Sequence, residues 1–357
     1  MGLFKDMLKS DETLFRNSIA LDYDYIPKLI PYREVQQKHI ATCIKPLFQE
    51  RNGRNLFIYG QPGIGKTVAC KHVLKEIEEE YEEVTPVYIN CWQKNTTYKV
   101  LMEICDILGY AFTQNKKSDE LFKVIKEILN KSSVVLVFDE IDKADDYDFI
   151  YFFLEEIYRK AVFLITNYKE WIINLDERLK SRLTAEMMEF KPYNLAETKG
   201  ILKERVGSAF VPNVLAEKAF DTVVNKTAEL EDIRSGLYIM KEAANLAEDE
   251  SSKKITEKHV EGAIQKLKEF TIKKTSDIDE EMQSILDIVK FNSGKKAGDL
   301  FKVYQEQGGK SVYKTFKRKL DKLEKGKFIV QEKTEGGSEG NITIVKLAAE
   351  EKKLTEF

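Results

Sequence analysis

At 357 residues the chain is longer than one ordinary core, so two or three compact units are expected. A content of 43% hydrophobic and 33% charged residues describes a soluble globular protein and excludes wholesale disorder. The net charge of −3 argues against indiscriminate coating of nucleic acid while leaving room for a local basic face.

The longest apolar stretches, such as 134–138, are strand-sized, and Lys5 and Asp6 stand where a signal peptide needs its apolar region. A cytoplasmic protein with no membrane partner is therefore expected. Four cysteines and three histidines lie without any Cys-x-x-Cys or shared metal-ligand spacing, and are read as buried thiols in a reducing compartment and not as a zinc site.

In chain order, 25–27 (Tyr-Ile-Pro) and 31–34 (Pro-Tyr-Arg-Glu) mark an extended lead-in, followed by an amphipathic helix over 35–48. Strand and helix signals then alternate: strand 55–59, helix 66–81, strand 86–90, helices 98–108 and 120–130, strand 134–138, helix 149–159 and strand 161–166. That alternation predicts an α/β unit with a mostly parallel sheet covered on both faces. From 195 to 270 only helical periodicity remains, over 197–210, 212–227, 230–248 and 256–267. A polar stretch, 271–281, reads as a linker. Helices over 280–291, 297–307 and 311–325 then precede strand-like runs 327–333 and 341–347, joined by the glycine-rich tip 335–340. Three helices followed by a hairpin is the order of a winged helix.

Gly60-Gln61-Pro62-Gly63-Ile64-Gly65-Lys66-Thr67 fits G-x-x-x-x-G-K-[ST] between a predicted strand and a predicted helix. The glycines let backbone N–H groups turn around phosphate oxygens, and the helix directs its positive dipole end at the same anion. Lys66 is expected to reach the β and γ phosphates of ATP, and the Thr67 hydroxyl to ligate Mg²⁺. The apolar run 134–138 ends in Asp139 and Glu140. Asp139 suits Mg²⁺, which takes hard oxygen donors, and Glu140 suits the base that polarises the attacking water. Asn167 ends the next strand, where its amide either holds that water or closes a turn. Arg178 and Arg182 either reach a neighbouring subunit's γ phosphate or form surface ion pairs.

In 311–325, Lys314, Lys317, Arg318 and Lys322 fall on polar positions, with Lys310 just before, while Val312, Phe316, Leu320 and Leu323 recur at inward spacing. This is the pattern of a recognition helix: the cations neutralise DNA phosphates while Tyr313 or Thr315 meets base edges. A solvated lysine-rich helix is the alternative. In 92–117, Leu101, Ile104 and Leu108 look like core, which leaves Lys94, Lys99, Lys116 and Lys117 on polar positions.

Taken together these patterns resemble the archaeal Orc1/Cdc6 replication initiators, AAA+ P-loop ATPases with a helical lid domain and a C-terminal winged-helix domain. The resemblance runs over Leu21-Asp-Tyr-Asp-Tyr-Ile-Pro27, Tyr32-Arg-Glu34, Val87-Tyr-Ile-Asn-Cys91, Asp139-Glu-Ile-Asp142, Thr166-Asn167, Ser181-Arg-Leu183, Phe190-Lys-Pro-Tyr193, Ile201-Leu-Lys-Glu-Arg205, Glu231-Asp-Ile-Arg234 and Ile255-Thr-Glu-Lys-His-Val260. It implies domains over 1–194 (nucleotide-binding, with lead-in), 195–270 (lid) and 271–357 (linker and winged helix). It also implies that Tyr193 and Arg205 line the ATP site, that Asn167 and Arg234 are the two sensors, and that Arg182 is the finger. The implied function is an ATP-switched initiator with slow hydrolysis, bound to double-stranded origin DNA in the nucleoid, assembling with itself or with paralogues and recruiting or loading the MCM helicase. The alternative is a related ATP- and DNA-binding regulator of replication or transcription that loads no helicase. Two departures stand out: Glu231-Asp232 replaces the usual Gly-Asp, and Glu335 and Glu339 make the hairpin tip acidic, where related wings are basic.

Overall fold

The computed structural model describes residues 13–276, 280–309, 311–325, 329–334 and 342–347. Contacts divide the chain into two compact units, Met1–Leu267 and Lys268–Phe357.

In the first unit, short β-branched and aromatic runs form strands because their side chains can be buried on alternate faces of one sheet. The elements run α1 (Glu34–Ile44), β1 (Leu56–Tyr59), α2 (Lys66–Glu80), β2 (Val84–Asn90), α3 (Thr97–Ile107), α4 (Ser118–Leu129), β3 (Ser133–Asp139), α5 (Asp148–Glu156), β4 (Lys160–Thr166), α6 (Glu177–Leu183) and β5 (Glu186–Glu189). The strands pair in parallel in the order β2-β3-β4-β1-β5. Every residue of β3 is buried. Its Leu136 and Phe138 face a core shared with α3, α4, α5 and α6, while Val135 and Val137 face the core under α1 and α2. A sheet buried on both faces leaves its chemistry to the loops at the strand ends.

The same unit continues as three helices, α7 (Leu195–Ala209), α8 (Glu217–Leu230) and α9 (Ile233–Asp249), and α10 (Glu257–Ser276) begins in it. Their core includes Leu14, Ala20 and Leu21 from the lead-in, which the Arg16 and Asn17 amides fasten to the Ala209 carbonyl. The second unit has α11 (Glu280–Phe291), β6 (Lys295–Lys296), α12 (Ala297–Glu306), α13 (Tyr313–Lys325), β7 (Ile329–Thr334) and β8 (Ile342–Leu347). Its strands form an antiparallel sheet in the order β6-β8-β7 beside a core of Leu300, Tyr304, Phe316, Leu320 and Val345.

Several elements differ from the sequence reading. The edge strand β5 is not visible in the pattern, because only Met188 in it is buried. α8 starts at Glu217 and not at 212, because 211–216 turns so that Leu215 bridges to Ile255. α10 runs through Ser276, into the stretch read as a linker. Val312 does not pack inward: it lies ahead of the first turn of α13 and is 68% exposed. Among the described residues no helix is long and apolar enough to cross a membrane.

Candidate functional site

β1 delivers the chain into the glycine loop, and each glycine there answers a local demand. Gly60 has φ +145, and a Cβ on it would lie 2.3 Å from the Phe190 carbonyl oxygen. Gly65 has φ +89 at the N-cap of α2 and is followed by a first turn with no side-chain cap, so those backbone N–H groups are left for a ligand. Ile64 is buried in the core beneath the loop.

Lys66, the first residue of α2, folds back so that Nζ donates to the Gly60 and Gln61 carbonyls, each at 2.7 Å, and to Asn167 Oδ1 at 2.9 Å. Burial lowers the pKa of its ammonium to about 8, only partly opposed by Asp139. Beside it Thr67 Oγ1 donates to Asp139 Oδ2 at 2.6 Å. Two further donors complete the Asp139 carboxylate: the Tyr88 hydroxyl at 2.7 Å on Oδ2 and the Glu140 amide at 2.8 Å on Oδ1. An acidic oxygen and a hydroxyl side by side are the hard donors that Mg²⁺ takes, so these residues fit such an ion. Glu140 sits at φ +52, a left-handed conformation unusual outside glycine, at the turn out of β3. Burial, then the nearby Asp139 and Asp142 carboxylates, raise its pKa and make it a better proton acceptor.

The other wall is built by the lead-in and by helices α7 and α9. Arg33 is 5% exposed and donates to the Ile64 carbonyl at 2.9 Å and to the Lys191 carbonyl at 2.6 Å. Its guanidinium lies 3.9 Å over the Tyr193 ring, tying the phosphate loop to the chain after β5. Arg205 lies 5.0 Å over the Tyr25 ring and donates to the Ala20 carbonyl at 3.2 Å. Asp232 caps α9 and meets the phosphate loop directly: a Cβ on Gly63 would fall 1.8 Å from its Oδ1, and the Ile233 amide donates to the Gly63 carbonyl at 3.3 Å. Asp232 also accepts from Arg234 Nη2 at 2.8 Å, so the lid arginine is held at the cavity rim by a short ion pair.

These groups enclose one cavity of about 660 Å³ lined by Pro62, Gly63, Gly65, Lys66, Thr67, Asp139, Glu140, Asn167, Tyr193, Arg205 and Arg234. Arg182 is not among them. It lies exposed on α6, paired with Glu155 and 5.1 Å over the Tyr151 ring, and Arg178 is exposed on the same helix. Sequence reasoning missed the roles of Arg33, Tyr88 and Asp232. For Arg33 a signal existed in the Tyr32-Arg-Glu34 pattern, whereas the contacts of Tyr88 and Asp232 follow only from the fold.

In the second unit, Lys314, Lys317 and Arg318 are exposed along α13 while Phe316, Leu320 and Leu323 are buried. Tyr313 packs edge-on to Phe301 with ring centroids 5.1 Å apart. Lys310, the Lys322 side chain and the tip residues Glu335 and Glu339 lie outside the described residues. In the 92–117 segment Leu101 and Ile104 are buried, Lys94 pairs with Glu103 at 2.5 Å, and Trp92 and Phe112 are exposed.

Residues 49–165 match the family model of an AAA domain, and residues 199–265 that of a Cdc6 AAA+ ATPase-type lid domain. ORC1-type DNA replication protein 2 of Methanothermobacter thermautotrophicus is 30% identical over 360 residues, 96% of this chain and 94% of that protein. ORC1-type DNA replication protein 1 of Sulfurisphaera tokodaii is 33% identical over 271 residues, 71% of this chain and 67% of that protein. Among solved structures, that of the Aeropyrum pernix ORC1 protein in complex with DNA is similar with a TM-score of 0.74 at 22% identity, covering 96% of this chain and 95% of that one. The Aeropyrum pernix ORC2 protein in its ADPNP–ADP complexes gives 0.65 at 16% identity, covering 94% and 95%.

Proposed function

The chain belongs to the ORC1-type DNA replication proteins, within the AAA+ ATPases, and on that premise we propose that it is an ATP-switched replication initiator that binds origin DNA and helps recruit or load the MCM helicase. The observation that carries this reading is the single cavity in which the phosphate loop, the Asp139–Glu140 pair and the lid arginines meet. In this reading residues 1–194 hold the nucleotide, 195–270 close over it, and 271–357 hold DNA.

With ATP in the cavity, the N–H groups of Gly63, Ile64 and Gly65 and of the α2 N-terminus cradle the phosphates, and Lys66 exchanges its carbonyl partners for phosphate oxygens. Tyr193 and Arg205 line the remainder of the nucleotide. Thr67 and Asp139 would hold Mg²⁺, which would offset the negative charge of the phosphates. Glu140 takes the proton of the attacking water, which Asn167 orients. Arg234 leaves Asp232 for the γ phosphate, so that lid closure depends on that phosphate being present and hydrolysis releases it. Slow turnover suits a switch. Arg182, exposed and outside its own chain's cavity, is assigned to a neighbouring subunit's nucleotide, whether that subunit is a second copy or a paralogue. The Lys314, Lys317 and Arg318 face of α13, with Tyr313 and with Lys310 and Lys322 by sequence, is assigned to double-stranded DNA in the nucleoid.

Titration with a fluorescent ATP analogue tests the reading. Lys66→Ala should lose binding while remaining folded, because the phosphate charge loses its principal counter-ion. Unchanged affinity in the folded variant would remove the site assignment.

A further inference from the structure

The parallel sheet has two ends, and the nucleotide cavity occupies only the C-terminal one. At the other end Glu186, the first residue of β5, pairs in register with Leu56, the first residue of β1. Facing it are His39 and Cys43, one helical turn apart on α1. His39 Nε2 lies 3.0 Å from Glu186 Oε2, Cys43 Sγ lies 4.0 Å from the same oxygen, and all three donor atoms fall within 4.8 Å of one another. We propose that His39, Cys43 and Glu186 form a binding site for a Zn²⁺-class ion, independent of the nucleotide site, with the fourth coordination position open to water.

Four features favour an ion over a simple ion pair. First, imidazole, thiolate and carboxylate are the ligand types that zinc takes, and residues at i and i+4 on a helix present two of them to one point. Second, Arg54 Nη1 donates to the other carboxylate oxygen, Oε1, at 3.2 Å. That contact orients the carboxylate, as outer-sphere partners of ligands do, and leaves Oε2 turned toward His39 and Cys43. Third, Cys43 is 1% exposed and its Sγ lies 4.0 Å from Oε2, the outer limit for a sulfur hydrogen bond, so thiol and carboxylate are not closed onto each other. Fourth, the His39 side chain is 43% exposed, which gives an ion an entry path from solvent. The sequence conceals the site because Glu186 lies 147 positions beyond His39 and 143 beyond Cys43. The ion would pin α1 to the edge strand β5, which among the described residues pairs with β1 alone.

Co²⁺ titration of the full chain tests the site, because cobalt reports thiolate ligation by near-ultraviolet charge transfer and tetrahedral geometry by intense visible bands. The expected result is saturation at one ion per chain with both signatures, and reversal by Zn²⁺. Cys43→Ser should abolish the charge-transfer band. His39→Gln, at a half-exposed position that does not threaten folding, should weaken binding by more than about tenfold, since even loss of an outer-sphere partner costs about 10–100-fold. Absence of the band in the wild type, its persistence in Cys43→Ser, or unchanged affinity in His39→Gln would each overturn the proposal. Because the charge-transfer band needs a thiolate, Mg²⁺-site occupancy by cobalt cannot mimic it.

Discussion

Tyr88→Phe isolates the contribution of one hydroxyl to the carboxylate that is assigned to Mg²⁺. In the wild type Asp139 Oδ2 accepts from both Tyr88 and Thr67, at 2.7 and 2.6 Å, while Oδ1 accepts from the Glu140 amide. Desolvation and the neighbouring carboxylate raise the Tyr88 pKa far above its ordinary value, so Tyr88 remains a donor at every working pH. A hydrogen bond to a charged group contributes about 1.5–3 kcal/mol. The ring stays packed in the variant, with the Lys71 ammonium 4.4 Å above it, so little else is lost. If about half of that energy serves to orient Asp139 toward the ion, the Mg²⁺ concentration needed for half-maximal nucleotide binding should rise about 3- to 12-fold, at about 1.4 kcal/mol per decade. The assay is a fluorescent ATP titration across a Mg²⁺ series with an EDTA arm. ATP affinity in EDTA should be the same in both proteins. A folded Tyr88→Phe protein with an unchanged Mg²⁺ midpoint would refute the reasoning and leave Tyr88 as packing alone.

The remaining expectations concern the lid, the second unit and the DNA face. Gly63→Ala forces a Cβ to within 1.8 Å of Asp232 Oδ1 at φ +74, which should cost about 1–2 kcal/mol in backbone strain and hold the lid off the loop; weaker ATP binding and a larger radius in small-angle scattering would register it. Glu281 accepts from Tyr304 and from Lys319, the latter at 2.6 Å, and these contacts hold its pKa down to about 2. Because its folded pKa lies below the unfolded one near 4.5, the stabilisation is complete above pH 4.5 and is lost as pH falls toward 2. Hydrogen exchange in α13 should therefore separate wild type from Glu281→Gln at pH 6, with the difference vanishing near pH 2. Lys317→Ala with Arg318→Ala should weaken DNA binding and reduce the slope of log K against log salt by about 2, in anisotropy titrations on one duplex.

The phosphate loop and the Asp139–Glu140 pair were legible because their chemistry demands fixed residue types at fixed spacing on either side of a strand. The sheet was legible for the same kind of reason, since β3 and β4 are apolar runs buried on both faces. β5 was not, because an edge strand of Glu-Met-Met-Glu carries almost no apolar signal. The 271–276 stretch reads as a connector by polarity, yet nothing in it breaks the helix that arrives from 257. Val312 has the right spacing to be core but precedes the first helical turn of α13, so the 3.6-residue period does not apply to it. The supporting contacts of the site, Arg33 on the Ile64 carbonyl, Tyr88 on Asp139 and Asp232 against Gly63, join residues 31, 51 and 169 positions apart, so even where a local pattern marks a residue, as at Arg33, it does not name the partner.

The central claim, that ATP binding by this chain licenses occupancy of replication origins, is tested most directly by mapping genome-wide occupancy of the wild type and of Lys66→Ala in living cells. The account predicts sharp wild-type peaks at the sites where replication starts, and their loss in the variant. Peaks scattered over promoters, or origin peaks that persist unchanged in Lys66→Ala, would contradict it.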